Sequence, residues 1–119
     1  MVRVIRAGDA RDLNLPGRRS LEIVSARTGS AALTLRLVEI PVPQLDETPR
    51  EPHRHDRFEE CIYVLSGQGT AHTESGDFPI APGDTILVAP GEWHVTRNTG
   101  DTPLQMLCFF PIADCSTPT

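Results

Sequence analysis

The sequence has few aromatic residues and no long hydrophobic run. Aromatic side chains make up 5% of the 119 residues, so a large flat ligand would find few stacking surfaces. No stretch approaches the roughly 20 apolar residues of a membrane-spanning helix. The N-terminal segment carries charges every few positions and lacks the apolar centre of a signal peptide. We therefore expect no membrane partner and a cytoplasmic location.

Cysteine is also scarce. The three cysteines, Cys61, Cys108 and Cys115, form no C-x-x-C pair and are odd in number. In a short chain without a signal peptide this pattern favours reduced thiols over a disulfide framework, and it does not fit a zinc ribbon. Cys61 and Cys108 lie within apolar runs, so we expect them to be buried as small hydrophobic side chains.

An excess of basic charge is absent as well. The formal net charge is −5 and the pI is about 5.2, which makes nucleic acid an unnatural partner. A chain of 119 residues is long enough for one hydrophobic core and too short for two. We expect a single domain over residues 1–119.

The chain shows little helical periodicity and many strand-like segments. Eleven prolines and nine glycines divide it into short pieces. Strands are predicted where β-branched or aliphatic residues are bounded by turn residues, at residues 20–26, 32–40, 60–66, 69–74, 85–89, 93–98 and 104–110, with further candidates at 2–5 and 77–80. The proline-rich residues 41–52 predict an extended loop, and residues 74–78 predict a hairpin turn. Together these features indicate an all-β barrel or sandwich.

Side-chain alternation predicts which face of the second strand points inward. Leu33, Leu35 and Leu37 share one face, and Arg36 lies on the other. We expect the leucine face to be the interior. If the opposite face is the inner one, Arg36 would point into the barrel and favour an anionic substrate such as a small carboxylic acid.

One segment near the middle of the chain carries the strongest functional pattern. His53 and His55 are two positions apart, so their imidazoles leave the same face of an extended strand. Glu60 follows at the head of an apolar run, with Glu59 as a rival carboxylate, and His94 is a third histidine later in the chain. Imidazole nitrogen and carboxylate oxygen bind divalent transition metals, so the pattern predicts a metal site.

These residues fall into two motifs that resemble those of the cupin superfamily. The first motif is H-x-H, three or four residues, E, six residues and G, and the chain matches it with His53, His55, Glu60 and Gly67. The second is G, five residues, P-x-G, two residues, H, three residues and N, and the chain matches it with Gly83, Gly91, His94 and Asn98. Ala89 stands at the usual proline position of the second motif. The two motifs span residues 53–98.

The resemblance implies a small double-stranded β-barrel of the jelly-roll type that holds one metal ion. It implies His53, His55, Glu60 and His94 as the ligands, because the spacing to the motif glycine selects Glu60, and Glu59 then faces away. The cofactor would be one divalent transition metal: Fe, Mn, Ni, Co, Cu or Zn.

The separation of His55 and Glu60 requires a bend between them. The two residues are an odd number of positions apart, so one straight strand cannot aim both inward. The polar Asp56-Arg57 stretch predicts that bend. After it, Glu60 can face the interior beside Ile62.

Other polar and aromatic residues have simpler interpretations. His72 matches neither motif and is expected at the surface. Trp93 should face away from the ligands and serve packing, and Asn98 should have a structural role. We expect surface or rim charges at Arg18, Arg19, Arg54 and Arg57.

The ligand set favours an enzyme without identifying its reaction. Three imidazoles and one carboxylate leave about two positions open on a six-coordinate ion, and the cupins include dioxygenases, sugar isomerases, decarboxylases and lyases. We predict a small mononuclear metalloenzyme acting on a small polar metabolite, with dioxygenase-like chemistry the most plausible. No general base is fixed by the sequence. The alternative is a non-catalytic barrel module that binds a small molecule or a metal.

The predicted strand at residues 60–66 is apolar on both faces. Glu60, Ile62 and Val64 point one way, and Cys61, Tyr63 and Leu65 point the other. Such a strand is covered on one side by a second sheet and on the other by a partner subunit. An isologous homodimer, which is also the family's habit, is therefore expected.

Overall fold

Two antiparallel sheets make up the fold. The computed structural model describes residues 1–115. Within that range helix is limited to single 3₁₀ turns at Ala7–Asp9 and Ala26–Thr28, and no helix is long and apolar enough to cross a membrane. The strands are β1 (Arg11–Asp12), β2 (Arg19–Val24), β3 (Thr34–Ile40), β4 (Glu60–Ser66), β5 (Gly69–Thr73), β6 (Gly76–Ile80), β7 (Thr85–Val88), β8 (His94–Asn98) and β9 (Leu104–Phe110).

The larger sheet combines strands from both halves of the chain, whereas all three strands of the smaller sheet come from residues 69–98. The larger sheet runs β1-β2-β3-β9-β4-β7, and the smaller one runs β6-β5-β8. Their inner faces meet in one apolar core that includes Val64, Met106 and Leu104 from the larger sheet and Ala71 and Ile80 from the smaller. The prediction of an all-β, double-sheet fold of the jelly-roll type is confirmed.

The strand predictions hold for the seven main segments, with shifts of a few residues at their ends. The candidate at 77–80 is also a strand, paired with β5 across the predicted hairpin turn. The candidate at 2–5 is wrong, because residues 2–5 form no strand. The edge of β2 is instead paired with β1, Arg11 opposite Glu22 and Asp12 opposite Leu21, which leaves Val2 and Val4 exposed.

The expectation that the leucine face of β3 is the interior is wrong. Thr34 and Ile40 are 1% and 6% exposed, whereas Leu33 is 58% exposed. The Thr34 hydroxyl donates to the Ile112 carbonyl at 2.6 Å, so its polar atom is satisfied inside. The pairing with β9 identifies the same inner face. Residues opposite each other in paired strands point to the same side of the sheet, and Arg36 lies opposite the buried Cys108. Arg36 therefore shares the inner face, and the leucines belong to the outer one.

Gly67 closes the first sequence motif at a position that only glycine suits. Its φ of +90° lies in the left-handed region, where a Cβ would be strained. A Cβ there would also lie 2.6 Å from the Pro103 carbonyl oxygen and 2.8 Å from the Leu104 Cα. Because both contacts are with backbone, the turn between β4 and β5 fits closely against the start of β9.

We predict that Gly67→Ala destabilises the protein more than Gly83→Ala. Gly83 has a similar φ of +92°, but a Cβ at that residue would have nothing within 4 Å. Gly83→Ala should cost about 1–2 kcal/mol from backbone strain alone. Gly67→Ala must also move backbone and should cost more than about 3 kcal/mol. Urea unfolding followed by Trp93 fluorescence measures both, and equal losses would contradict the close fit.

Candidate metal centre

Two reciprocal backbone hydrogen bonds bring the first and last predicted ligands together. The His53 amide donates to the His94 carbonyl at 2.9 Å, and the His94 amide donates to the His53 carbonyl at 2.8 Å. This isolated antiparallel bridge fastens the loop before β4 to the first residue of β8. The two imidazole centroids are 4.3 Å apart as a result.

The other two predicted ligands follow on the same loop and the next strand. The His55 carbonyl accepts from the Gly91 amide at 2.8 Å, so the second motif also holds this part of the loop. A bend at residues 56–58 then reverses the side-chain parity, as predicted. Glu60 is the first residue of β4 and is 5% exposed. Glu59 is exposed and points away.

The four side chains converge as the two motifs predict. One donor atom from each of His53, His55, Glu60 and His94 lies within 4.8 Å of the other three. Glu60 Oε1 is 3.2 Å from His94 Nε2 and 3.4 Å from His55 Nε2. These nitrogen and oxygen donors are the set that divalent transition metals bind.

The orientation of His94 leaves a lone pair facing the carboxylate. Its Nδ1 lies 2.9 Å from the Glu92 carbonyl oxygen, so Nδ1 carries the hydrogen. In the neutral imidazole Nε2 is then an acceptor that faces Glu60 Oε1, also an acceptor, at 3.2 Å. Two facing acceptors need a proton or a cation between them. Metal-binding histidines commonly donate their other ring N–H to a backbone carbonyl in this way, which fixes the tautomer.

His55 presents a second nitrogen of this kind. Its Nε2 is buried and has no hydrogen-bond partner among the described residues, since the 3.4 Å contact with Glu60 lacks hydrogen-bond geometry. The ring is held by stacking on Phe58 at a centroid distance of 5.1 Å and by the edge of Phe110 at 5.4 Å. A buried nitrogen without a partner is costly, and a bound cation would satisfy it. The residues therefore fit a metal ion.

Glu60 and His53 have the protonation states that cation binding needs. Burial would raise the pKa of Glu60, but the contacts with His55 and His94 outweigh it and lower that pKa to about 2. Burial, followed by the neighbouring His94, lowers the pKa of His53 to about 4. Burial opposes protonation of His94 too, yet Glu60 and the Glu92 carbonyl raise its pKa. Near neutral pH the cluster thus contains an ionised carboxylate and a neutral His53, the forms that bind metals.

A cavity of about 130 Å³ opens onto the cluster. Its walls combine apolar side chains from the inner sheet faces with several polar ones. The polar side chains outside the cluster are Arg18, Ser20, Arg36, Arg50 and Thr96. The cluster is therefore not sealed by aliphatic residues.

His72 and Trp93 both lie outside the cluster. His72 is half-buried on β5, and its Nδ1 lies 2.9 Å from Asp77 Oδ1. Trp93 is 43% exposed, with the Arg54 guanidinium 4.8 Å from its ring centroid, so it does not pack in the core. The indole ring is in contact with the Arg54 guanidinium and with solvent.

Asn98 has the structural role expected of it. It is 4% exposed, and its Nδ2 donates to the carbonyls of Ile40 and Thr102 at 3.0 and 2.8 Å. Its Oδ1 accepts from the Gly100 amide at 2.8 Å. One side chain thus satisfies three backbone groups at the end of β8 and touches no cluster residue through these bonds.

Arg18 is one of the residues that the sequence interpretation misplaced. It was expected at the surface or rim, but it is half-buried and lines the cavity. Alternation in the sequence does not reveal this, because the apolar Leu21 and Ile23 lie on the opposite parity; the structure nevertheless buries Ser20 and Glu22, which share the parity of Arg18. Arg19, one position on, is exposed.

The cysteines divide between the two sheet faces. Cys108 is 4% exposed, and burial, followed by the charge of Glu60, raises the pKa of its thiol. Its predicted burial is confirmed. Cys61 lies on the outer face and is only half-buried, so burial was wrong for this residue. The described residues contain no disulfide.

Comparison with known proteins supports the two motifs. A family model described as "Cupin domain" matches residues 37–110. An uncharacterised protein of Methanocaldococcus jannaschii is 36% identical over 66 residues, 56% of this chain and 48% of that protein. An oxalate-binding protein of Thermotoga maritima is 40% identical over 55 residues, 46% of this chain and 46% of that protein. The chain thus aligns with about half the length of each of these relatives.

Solved structures share the fold at lower sequence identity. The oxalate decarboxylase–formate complex of Lactobacillus farciminis has a TM-score of 0.76 at 21% identity, over 90% of this chain and 32% of that one. A Bacillus subtilis oxalate decarboxylase with Mn(II) centres has a TM-score of 0.72 at 23% identity, over 87% of this chain and 28% of that one. These similarities establish the fold.

We predict that Asn98→Ala destabilises the protein without altering the cluster. The change leaves buried backbone groups without partners, so the free energy of unfolding should fall by about 2–4 kcal/mol. Thr99→Ala, at the exposed neighbouring position, should stay within about 0.5 kcal/mol of the wild type. Denaturant titration gives both values. A stable Asn98→Ala protein would argue against the structural role.

Proposed function

The chain belongs to the cupin domain family, and on that basis we propose that it is a mononuclear metalloenzyme acting on a small polar metabolite. His53, His55, Glu60 and His94 would hold one divalent transition metal. The observation that carries the proposal is the convergence of one nitrogen or oxygen atom from each of these four side chains to within 4.8 Å of the other three. A cation at the centre of the cluster would be coordinated by all four of these atoms at once.

The bound metal would supply Lewis-acid polarisation of an oxygen group on the substrate and open coordination positions. The chain's own residues do the rest. His94 is kept in one tautomer by the Glu92 carbonyl, and Phe58 and Phe110 orient His55 and limit water around it. These supports fix the donors before any ligand arrives, which reduces the cost of ordering them.

An enzyme is favoured over a sealed binding module by the cavity. It reaches the cluster and contains polar side chains beside it, including Arg36 and Thr96. A small volume of about 130 Å³ supports a small metabolite. The names of similar proteins, an oxalate-binding protein and oxalate decarboxylases, support a small, oxygen-rich ligand. We favour oxygenase, isomerase or lyase chemistry, with dioxygenase-like chemistry as the first class to assay.

A non-catalytic module that binds a small molecule is the second candidate. The observation in its favour is that one relative is described as a binding protein. Metal and ligand binding without turnover would distinguish this candidate from the enzyme.

We also propose a cytoplasmic location. The acidic composition and the three cysteines without a disulfide support it.

We further propose an isologous homodimer formed through the outer face of the larger sheet. Leu87, Tyr63, Leu65 and Phe109 are 67%, 40%, 42% and 41% exposed. Cys61 pairs with Leu87 on one side and with Phe109 on the other, so these side chains form one continuous apolar face. A second copy of the same face is the occupant that a self-complementary patch accepts.

We predict that His94→Ala abolishes stoichiometric metal binding. Loss of one of four ligands should weaken affinity by more than about 100-fold, since even outer-shell partners contribute 10–100-fold. His72→Ala, a histidine paired with Asp77 outside the cluster, is the matched control and should retain the metal. Elemental analysis after loading with Mn(II) or Fe(II) and desalting gives the metal per chain.

The same samples test the reaction. Metal-loaded wild type and His72→Ala should convert a small metabolite in an oxygen-uptake and metabolite-conversion screen, and His94→Ala should not. The metal site would be contradicted if the wild-type protein took up no metal and if a chelator did not change its melting temperature. Full metal loading with no conversion of any metabolite would favour the binding module.

We predict that Leu87→Arg separates the dimer. A buried, unpaired charge at the interface strongly opposes association. Light scattering after size exclusion should give twice 13.0 kDa for the wild type and 13.0 kDa for the variant. Phe78→Arg, at an exposed position of the smaller sheet, should remain dimeric. A wild-type mass of 13.0 kDa would exclude the dimer.

A further inference from the structure

The cavity of the candidate metal centre has a basic wall that the proposed metal site does not use. We define the arginine wall as Arg18, Arg36 and Arg50, all half-buried and all lining the cavity. They come from the turn just before β2, from the inner face of β3 and from the loop before His53. Three separate segments thus bring guanidinium groups to one small space.

Arg36, on the inner face of β3, has one N–H donor without an acceptor. Its Nε is buried and has no hydrogen-bond partner within residues 1–115. The guanidinium carbon is 5.4 Å from the centroid of the Phe110 ring, which holds the group beside His55 without satisfying its N–H donors. A buried donor without an acceptor is costly, so the side chain is suited to a ligand that brings one.

The carboxylate best placed to pair with Arg36 is engaged elsewhere. Glu22 lies opposite Arg36 in the β2–β3 register. Its Oε1 accepts from the Ser25 hydroxyl at 2.7 Å and lies 3.6 Å from Arg27 Nε. No ion pair between Arg36 and a carboxylate occurs in the described part of the chain.

The other two arginines have backbone partners in place of carboxylates. Arg18 Nη1 donates to the Pro16 carbonyl at 2.8 Å, and Arg50 Nη2 donates to the Thr96 carbonyl. Burial, followed by the positive charge of Arg36, lowers the pKa of Arg18. Each arginine retains further N–H donors, because a guanidinium has five.

The charges lining the cavity do not balance. Glu60 is the one carboxylate among the lining residues, and it already contacts His55 and His94. Three guanidinium groups against one carboxylate leave the cavity positive, and a divalent cation would add to this. Half-buried positive charges that face one another without a counter-ion repel, so an anionic ligand would gain both hydrogen bonds and charge neutralisation.

We propose that the cavity binds a small carboxylate anion, with its carboxylate held by Arg36 and Arg18 beside the His/Glu cluster. The planar guanidinium fork matches a carboxylate in two parallel hydrogen bonds. The apolar walls at Val38, Ile62 and Met106 and the volume of about 130 Å³ suit a short carbon backbone. This inference rests on the proposed function, because it names the substrate class of the same site.

Binding of malonate and of its neutral analogue malonamide tests the proposal directly. Isothermal titration of the full chain, metal-loaded and metal-free, should show malonate binding at least about tenfold more tightly than malonamide, because hydrogen bonds to charged groups are the stronger class. Arg36→Met should weaken malonate binding about tenfold or more and leave malonamide binding unchanged. Arg36→Lys should recover part of the loss, since it restores charge without the fork.

Matched variants separate ligand binding from folding. Arg18→Gln changes a second member of the wall and should also weaken malonate binding, so the test does not depend on the stability of the Arg36 variants. Arg19→Met, at the exposed neighbouring position of β2, should bind malonate as the wild type does. Melting temperatures and metal content are measured for every sample.

Three results would overturn the inference: equal affinity for malonate and malonamide, no effect of either arginine change, or tighter arginine-dependent binding of inorganic phosphate than of malonate. Failure of the proposed metal site gives a different result. In that case no sample retains metal, while malonate binding to the metal-free protein still depends on Arg36 and Arg18, which supports the anion site.

Discussion

The two backbone hydrogen bonds between His53 and His94 are the constraint on which the centre depends. They join a loop to a strand that begins 41 positions later in the sequence, so both histidines start from one bridge. Because the backbone makes this link, the imidazoles remain available for a ligand. The bend after His55 and the strand that starts at Glu60 then complete the cluster from the same loop. Satisfying the backbone first is what lets polar side chains converge inside an otherwise apolar core.

The same larger sheet has two different faces, and each explains a different property. Inward, β3 and β9 present Arg36, Cys108 and Phe110 to the cavity. Outward, the leucines of β3 continue the apolar face formed around Leu87 and Phe109. The inner face combines the apolar core with the polar groups of the cavity, and the outer face is apolar where a half-exposed sheet is usually polar. The proposed subunit interface would account for the apolar outer face, and the proposed ligand site would account for the polar groups inside.

Much of the fold and most of the candidate centre could be predicted from the sequence. The two motifs identified His53, His55, Glu60 and His94, and the structure brings all four together. The need for a bend after His55 followed from parity alone. The inward face of β3 was misjudged, because the hydrophobicity of the leucines was assumed to mark the core. That assumption fails in a strand with two partly apolar faces. An apolar face can be the outer one where a partner subunit covers it, and a polar residue can be on the inner face where it lines a cavity.

The sequence by itself determined the strands, the turn glycines and the donor atoms of the cluster, because these depend on local residue type and spacing. Only the tertiary structure decided which parity of β3 faces inward and that three arginines from distant segments share the cavity. Alternation along a strand defines two faces but not which of them is inside; that is settled by pairing with a neighbour such as β9, whose buried residues fix the register. The charge of the cavity is likewise a sum over segments far apart in the chain, so it exists only once they are folded together.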